Sequence, residues 1–267
     1  MLKRVNDSIE LKKPDAVLFD TDNTLYDYSP ANVAAIKAVE IKSANLLGIT
    51  SDIFHKFYKQ ARLEIKERLG HTASSHSRLL YFQRMLELLG FKAQLLIALD
   101  LEQTFWRTFL ANAPLFSGVV TLLETLQYQD IPIAIVTDLT AHIQLRKLTY
   151  FHLEETFDAV VTSEEVGADK PDRRNFELVL EKLGIVSYDQ LWMIGDNPAT
   201  DVIGGRHIGA ITFQKLHSGV EVGKKDEAPD FTFEHFEDLQ RCIKRLLLDP
   251  KSHSRFNSST GLGSLTS

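Results

Sequence analysis

Ala16-Val17-Leu18-Phe19-Asp20-Thr21-Asp22-Asn23-Thr24 sets an unbroken apolar run directly against a polar cluster holding two carboxylates one residue apart. Such a run suits a strand covered on both faces, and in parallel sheets the functional groups gather beyond the carboxyl ends of strands of this kind. A carboxylate pair placed there can hold a metal and attack a substrate. The same Asp, Asn and Thr residues can also turn the chain and cap the element that follows. The choice between the two readings depends on the rest of the chain.

Downstream of Pro114, short apolar runs alternate with helical patterns, the mark of successive β-α units that build a parallel sheet. The expected strands are Ile133-Ala134-Ile135-Val136, Ala159-Val160-Val161, Leu191-Trp192-Met193-Ile194 and Ala210-Ile211-Thr212-Phe213, with residues 16–19 as the first of the series. Between that first strand and the others, strand-like runs give way to four amphipathic segments of helix length. Ser29 followed by Pro30 reads as an N-cap and a first helical residue, and the stripe Val33, Ile36, Val39, Leu46, Leu47 runs to a stop at Gly48. Ser51 opens a second helix that ends at Gly70. A third carries Leu79, Leu80, Phe82, Met85, Leu86 and Leu89 and stops at Gly90, and a fourth covers residues 93–110. The expected organisation is an α/β core made of residues 1–27 and 112–250, a helical module over 28–111, and a Ser, Gly and Asn-rich flexible tail over 251–267.

Composition narrows the function classes. The chain of 267 residues is 44% apolar and can bury a sizeable core, and 36 acidic against 30 basic side chains give a net charge of -6. No stretch concentrates Lys or Arg into the basic stripe that a nucleic acid partner needs. No apolar run approaches bilayer-spanning length and no signal-like segment opens the chain, so no membrane partner and a cytoplasmic location are expected. Cys242 is the single cysteine, which excludes an internal disulfide and a cysteine-rich zinc site; it reads as a buried structural thiol. A homodimer is allowed by the sequence without being specified by it.

Three later strand ends carry chemistry of their own. Thr137-Asp138 follows its strand, where a hydroxyl and free backbone N–H groups can cradle phosphate oxygens, although the pair is equally a plain helix cap. Gly167-Ala168-Asp169-Lys170-Pro171 holds a lysine stiffened by the following proline, able to set a positive charge beside carboxylates and an anionic substrate. Gly195-Asp196-Asn197-Pro198-Ala199-Thr200-Asp201 adds two more acids. Hard divalent cations such as Mg²⁺ take oxygen ligands in octahedral geometry, so acids from two strand ends make a plausible cage. Asp196 is favoured as a ligand, while Asp201 reads as a supporting group, a helix cap or the partner of Lys170.

On these four motifs the chain resembles the haloacid dehalogenase-like superfamily, in its phosphatase branch with a helical C1-type cap inserted after the first motif. The resemblance spans residues 16–249. It implies a Rossmann-like core, Mg²⁺ dependence and an aspartyl-enzyme intermediate. Two positions depart from it: residue 138 is Asp where many capped relatives have Asn, and residue 21 is Thr where many have Leu or Met.

The function expected from this resemblance is hydrolysis of small phosphate monoesters, sugar phosphates or nucleoside monophosphates. Asp20 attacks phosphorus, while Asp22 protonates the leaving oxygen and then activates water. Mg²⁺ is expected on the Asp20 carboxylate, the Asp22 carbonyl and the Asp196 carboxylate, with Thr137, Asp138 and Lys170 binding phosphate. Displacing halide needs neither a proton donor nor a metal, so a 2-haloacid dehalogenase leaves Asp22 and the acidic loop unexplained. A phosphomutase of the same fold shares the first half-reaction, and a non-catalytic binding protein would have no need for the intact motifs. The polar stretch His71-Thr72-Ala73-Ser74-Ser75-His76-Ser77-Arg78 between the second and third helices could meet a polar substrate, but reads first as a solvated loop in which Ser74 or Ser75 caps the next helix. His142, His207, His217 and His235 lack metal-ligand spacing, and Trp106 reads as core.

Overall fold

In the computed structural model, which describes residues 1–248, the run Ala16–Phe19 forms β2 near the middle of a seven-stranded sheet. Its companions are β1 (Lys3–Arg4), β3 (Ile133–Thr137), β4 (Ala159–Thr162), β5 (Leu191–Gly195), β6 (Ile211–Lys215) and β7 (Phe231–Phe233), in the order β1-β7-β6-β5-β2-β3-β4. Every pairing is parallel except that of β1 with β7. This is the Rossmann-like α/β architecture. β1 and β7 were not anticipated, because two exposed basic residues and a three-residue Phe-Thr-Phe run are too short to show a strand period.

Alternation along each inner strand explains why the runs are apolar throughout. Val17, Phe19, Ile133, Ile135, Trp192 and Ile194 pack into one hydrophobic cluster, and Ala16, Leu18, Ala134, Val136, Leu191 and Met193 into another. Both faces of the sheet are covered, so neither set of alternate positions can be polar.

Four helices make up the insertion that follows β2: α1 (Tyr28–Leu47), α2 (Ser51–Leu69), α3 (Arg78–Leu88) and α4 (Leu95–Ala111). α1 packs on α4, and α2 on α3. Phe54, Tyr81, Phe82, Phe105 and Phe109 are fully buried among them, each contributing about 1.5–3 kcal/mol of transfer free energy. Gly48 ends α1 with φ at +66°, a left-handed conformation that costs glycine little, and its N–H closes on the Ala44 carbonyl.

The caps of α1 and α3 differ from expectation, whereas α2 opens at Ser51 as expected. α1 starts on Asp27, whose carboxylate accepts the Ser29 N–H at 3.1 Å, and Pro30 falls within the first turn, where no N–H is needed. Thr50 caps α2. Ser77 caps α3, because Ser74 and Ser75 lie in a 3₁₀ turn over Ala73–His76.

The remaining helices are α5 (Val119–Tyr128), α6 (Ala141–Tyr150), α7 (Ser163–Val166), α8 (Arg173–Lys182), α9 (Ile203–His207) and α10 (Phe236–Leu248). Cys242, on α10, is half-buried against the core, and burial pushes its thiol up. Among the described residues no helix is long and apolar enough to cross a membrane. The expectation of a flexible tail over 251–267 falls outside the described residues.

Candidate active site

Register sets the site. Phe19 pairs with Ile135 on one side and Ile194 on the other, so β2, β3 and β5 end at one level, and the Asp20 N–H donates to the Ile194 carbonyl at 2.9 Å. From β2 the strand order runs out through β3 and β4 one way and β5, β6 and β7 the other. The crevice above β2 is therefore the switch point where ligands of open α/β sheets bind. A cavity of about 210 Å³ lies there, and all seven expected residues line it: Asp20, Asp22, Thr137, Asp138, Lys170, Asp196 and Asp201.

Lys170 ties the motifs together. Its ammonium donates to Asp20 Oδ1 at 2.7 Å, to Asp201 Oδ1 at 2.7 Å and to the Val136 carbonyl at 3.0 Å, which engages all three of its N–H groups. Burial works against the charge, but Asp20, Asp201 and Asp138 outweigh it and hold the ammonium well above the ordinary lysine range. The second Asp20 oxygen accepts from the Thr24 hydroxyl at 3.2 Å. Asp201 also accepts the Asn197 N–H at 3.1 Å, so it is at once the loop's cap and the partner of Lys170. Gly195 makes this approach possible, since a Cβ there would lie 2.2 Å from Asp201 Oδ2.

One carboxylate oxygen each from Asp20, Asp196 and Asp201 lie within 4.8 Å of one another. Burial raises Asp196, and the charges of Asp201 and Asp20 raise it further, to about 8; Asp20, pulled down by Lys170 against the same burial, is raised to about 6. Three clustered carboxylates, two of them with raised carboxyl groups, offer the oxygen ligands that a hard divalent cation takes. Asp201 contributes a carboxylate oxygen to this cluster as well as pairing with Lys170.

Asp22 is held differently. Lys147 on α6 donates to its Oδ1 at 2.6 Å, and the Tyr26 hydroxyl donates to the same oxygen. Burial pushes the Asp22 carboxyl up, but the Lys147 charge and hydrogen bond, with Tyr26, more than offset it and hold it below the usual carboxylate range. Lys147 is 1% exposed and lies within 6 Å of the centroids of Tyr26, Trp106 and Phe109. Sequence reasoning missed this lysine. The signal was present: the buried stripe of α6 is Ile143, Gln144, Lys147, Leu148, with two polar residues at positions where the helical period puts apolar ones.

Gln144 serves the neighbouring strand end. Its amide donates to Thr137 Oγ1 at 2.8 Å and to the Asp138 carbonyl, and Thr137 Oγ1 lies 2.7 Å from Thr21 Oγ1. Position 21 is polar because it completes this buried hydroxyl and amide network. The Thr137 hydroxyl is thus hydrogen-bonded to Gln144 and lies beside Thr21 at the wall of the cavity. Asp138 Oδ1 accepts the backbone N–H of Lys170 at 2.8 Å, and burial raises its carboxyl.

The helical insertion closes the other side. His76 lines the cavity with its Nε2 3.3 Å from Asp169 Oδ2, and the Asp169 N–H donates to the His71 carbonyl. The 71–78 stretch is therefore seated on the lysine-bearing loop instead of being a solvated one. Asn23, with φ at +62°, also lines the cavity, and its side chain accepts the Tyr28 N–H. His207 is peripheral, with its ring at the Pro171 carbonyl.

A family model for haloacid dehalogenase-like hydrolases matches residues 14–209. The chain belongs to that family. Among curated relatives of this haloacid dehalogenase-like hydrolase, the ribulose-1,5-bisphosphate 5-phosphatase of Halopiger xanaduensis is 41% identical over 199 residues, covering 74% of this chain and 82% of its own. The glyceraldehyde 3-phosphate phosphatase of Methanopyrus kandleri is 25% identical over 237 residues, covering 88% and 99%. These relatives place it in the phosphatase branch. In fold, it resembles the magnesium-bound HAD-hydrolase YfnB of Bacillus subtilis, with TM-score 0.66 and 24% identity over 87% of this chain and 100% of that one.

Proposed function

We propose that this enzyme is a Mg²⁺-dependent phosphatase that hydrolyses a small sugar phosphate in the cytoplasm through a phosphorylated Asp20. The observation that carries this reading is the division of labour between two carboxylates at one strand end. Asp20 is oriented by Lys170 and Thr24 within the acidic cluster, and Asp22 is set apart on Lys147 and Tyr26. A dehalogenase has no work for the second acid. The names of the relatives favour a sugar phosphate over a nucleotide.

Asp20 attacks phosphorus in line and becomes the acyl phosphate, and Asp22 gives a proton to the departing oxygen. The depressed pKa of Asp22 suits it as the base that activates water in the second step. A dianionic phosphate arriving beside it raises that pKa and equips it to carry the proton of the first step. Lys170, with its N–H groups engaged, acts on the phosphate by its charge while keeping Asp20 aimed. Asp20, Asp196 and the Asp22 carbonyl would hold Mg²⁺, with Asp201 beside them. When bound, Mg²⁺ supplies the positive charge that lets an anionic nucleophile approach an anionic phosphate.

The test is phosphate release over a panel of phosphorylated metabolites, with and without Mg²⁺, and with Asp20→Asn as control. Expected is metal-dependent release from sugar phosphates by the wild type alone. Equal inertness of the two proteins over the whole panel contradicts the reading.

A further inference from the structure

A second cavity, of about 220 Å³, adjoins the first and shares Asp22, Asn23, His76 and Leu139 with it. Its charge is of the opposite kind. The first cavity sets five carboxylates against Lys170, whereas the second presents Arg62 and Lys66 of α2 and Arg78 of α3, with Asp22 as its carboxylate. Asp22 is already neutralised by Lys147. Among the described residues, Arg62, Lys66 and Arg78 form no ion pair with any carboxylate.

These cations crowd one another. Burial, and then the charges of Arg62 and Arg78, push the Lys66 ammonium down, and Asp169, which offsets them, is itself engaged by His76. The Arg78 guanidinium donates to the His76 carbonyl and the Tyr28 hydroxyl, while its buried Nε–H meets no acceptor. Like charges held together without counter-charge are costly unless an anion joins them, and guanidinium groups match the oxygens of phosphate and carboxylate. The aromatic wall does not compete for a base, since Trp106 is already shared by Arg78 at 5.8 Å and Lys147 at 5.5 Å from its centroid.

We infer, building on the phosphatase reading of the first cavity, that the second is an anion subsite for a phosphate or carboxylate at the far end of the leaving group. The substrate then carries two oxyanions: one is cleaved over the acidic cluster, and the other is anchored by Arg62, Lys66 and Arg78. An anion in the first cavity depends on a divalent cation. One in the second does not.

The test is calorimetric titration of the wild-type protein, in Mg²⁺, with non-hydrolysable phosphonate analogues of a pentose 5-phosphate and of the 1,5-bisphosphate. A third analogue carries a carboxylate at carbon 1. At least one of the doubly anionic analogues should bind tenfold or more tightly than the singly anionic one, and which of them does so identifies the oxyanion. In Lys66→Gln and Arg62→Gln that ratio should fall at least fivefold. Equal affinities in the wild type, or variants in which all affinities drop together with the ratio unchanged, overturn the subsite. Wild-type hydrolysis of the parent pentose phosphates is measured separately. Preferential binding without any hydrolysis leaves the subsite standing and removes the phosphatase reading; hydrolysis without binding preference does the reverse.

Discussion

The ammonium of Lys147 lies 2.6 Å from Asp22 Oδ1, joining a helix beyond β3 to the second acid of the β2 motif. Removing that cation leaves burial opposed only by the Tyr26 hydrogen bond and the more distant Arg78 charge, so the Asp22 pKa rises. Since the first step needs Asp22 protonated, the alkaline limb of the kcat/KM profile in Lys147→Met should move to higher pH, while loss of positioning lowers kcat about 10-fold or more. Asp22→Asn removes proton transfer altogether, and turnover should fall by about 10²–10⁴. Steady-state kinetics across pH check both, and an unshifted limb in Lys147→Met removes Lys147 from the mechanism.

The metal-free acidic cluster makes stability depend on pH. Asp196 titrates at about 8 and Asp20 at about 6 in the folded chain, against an ordinary 3.8, so the native state binds more protons than the unfolded one in between. Their stabilising contribution is fully present below about pH 4 and is lost as pH rises through 6 to 8. In EDTA, Tm should fall by about 5 °C between about pH 5 and about pH 8, and Mg²⁺ should flatten the slope by favouring the ionised carboxylates. Thermal melts with and without Mg²⁺ measure this.

Gly195 is required by contact more than by flexibility. A methyl group there meets the Cβ, Cγ and Oδ2 of Asp201, all at 2.4 Å or less. Gly195→Ala must displace Asp201 from Lys170, and a loss of about 1–3 kcal/mol in urea unfolding is expected, together with a weaker Mg²⁺ requirement curve. A variant of wild-type stability contradicts the geometry.

Asp138 supplies an acceptor for the Lys170 N–H, which the Oδ1 of asparagine supplies equally well. Its charge lies on the cavity wall, where it is the third of the carboxylates that hold the Lys170 ammonium protonated, after Asp20 and Asp201. Asp138→Asn should keep its Tm and lower KM for phosphate esters about 3-fold or more, the direction expected when an anion leaves an anion site. A raised KM would show the carboxylate to be recognising a cationic or hydroxylated part of the substrate.

Much of this was legible in the chain because strand ends announce themselves. The inner strands are apolar along their length, and Asp20, Thr137 and Asp196 sit where those runs stop, so their convergence above β2 follows from parallel register, while Lys170, beyond α7, and Asp201, in the turn after β5, are brought in by their loops. Lys147 and Gln144 were not legible in that way, since they belong to a helix interior and their meaning depends on what faces it. Thr21 could be explained only with Thr137 and Gln144 in view. The 71–78 stretch reads as a loop in isolation, and contacts with Asp169, remote in sequence, turn it into a wall of the site. Short β1 and β7 carry too few residues for a period to show.

The central claim, that Asp20 carries the phosphoryl group, is tested most directly by rapid acid quench during turnover, borohydride reduction and peptide mass spectrometry. Reduction of an aspartyl phosphate leaves homoserine, and homoserine at position 20, absent in Asp20→Asn and without substrate, is the expected result. Product formation at full rate with Asp20 recovered only as aspartate, or with the modification on another residue, contradicts it.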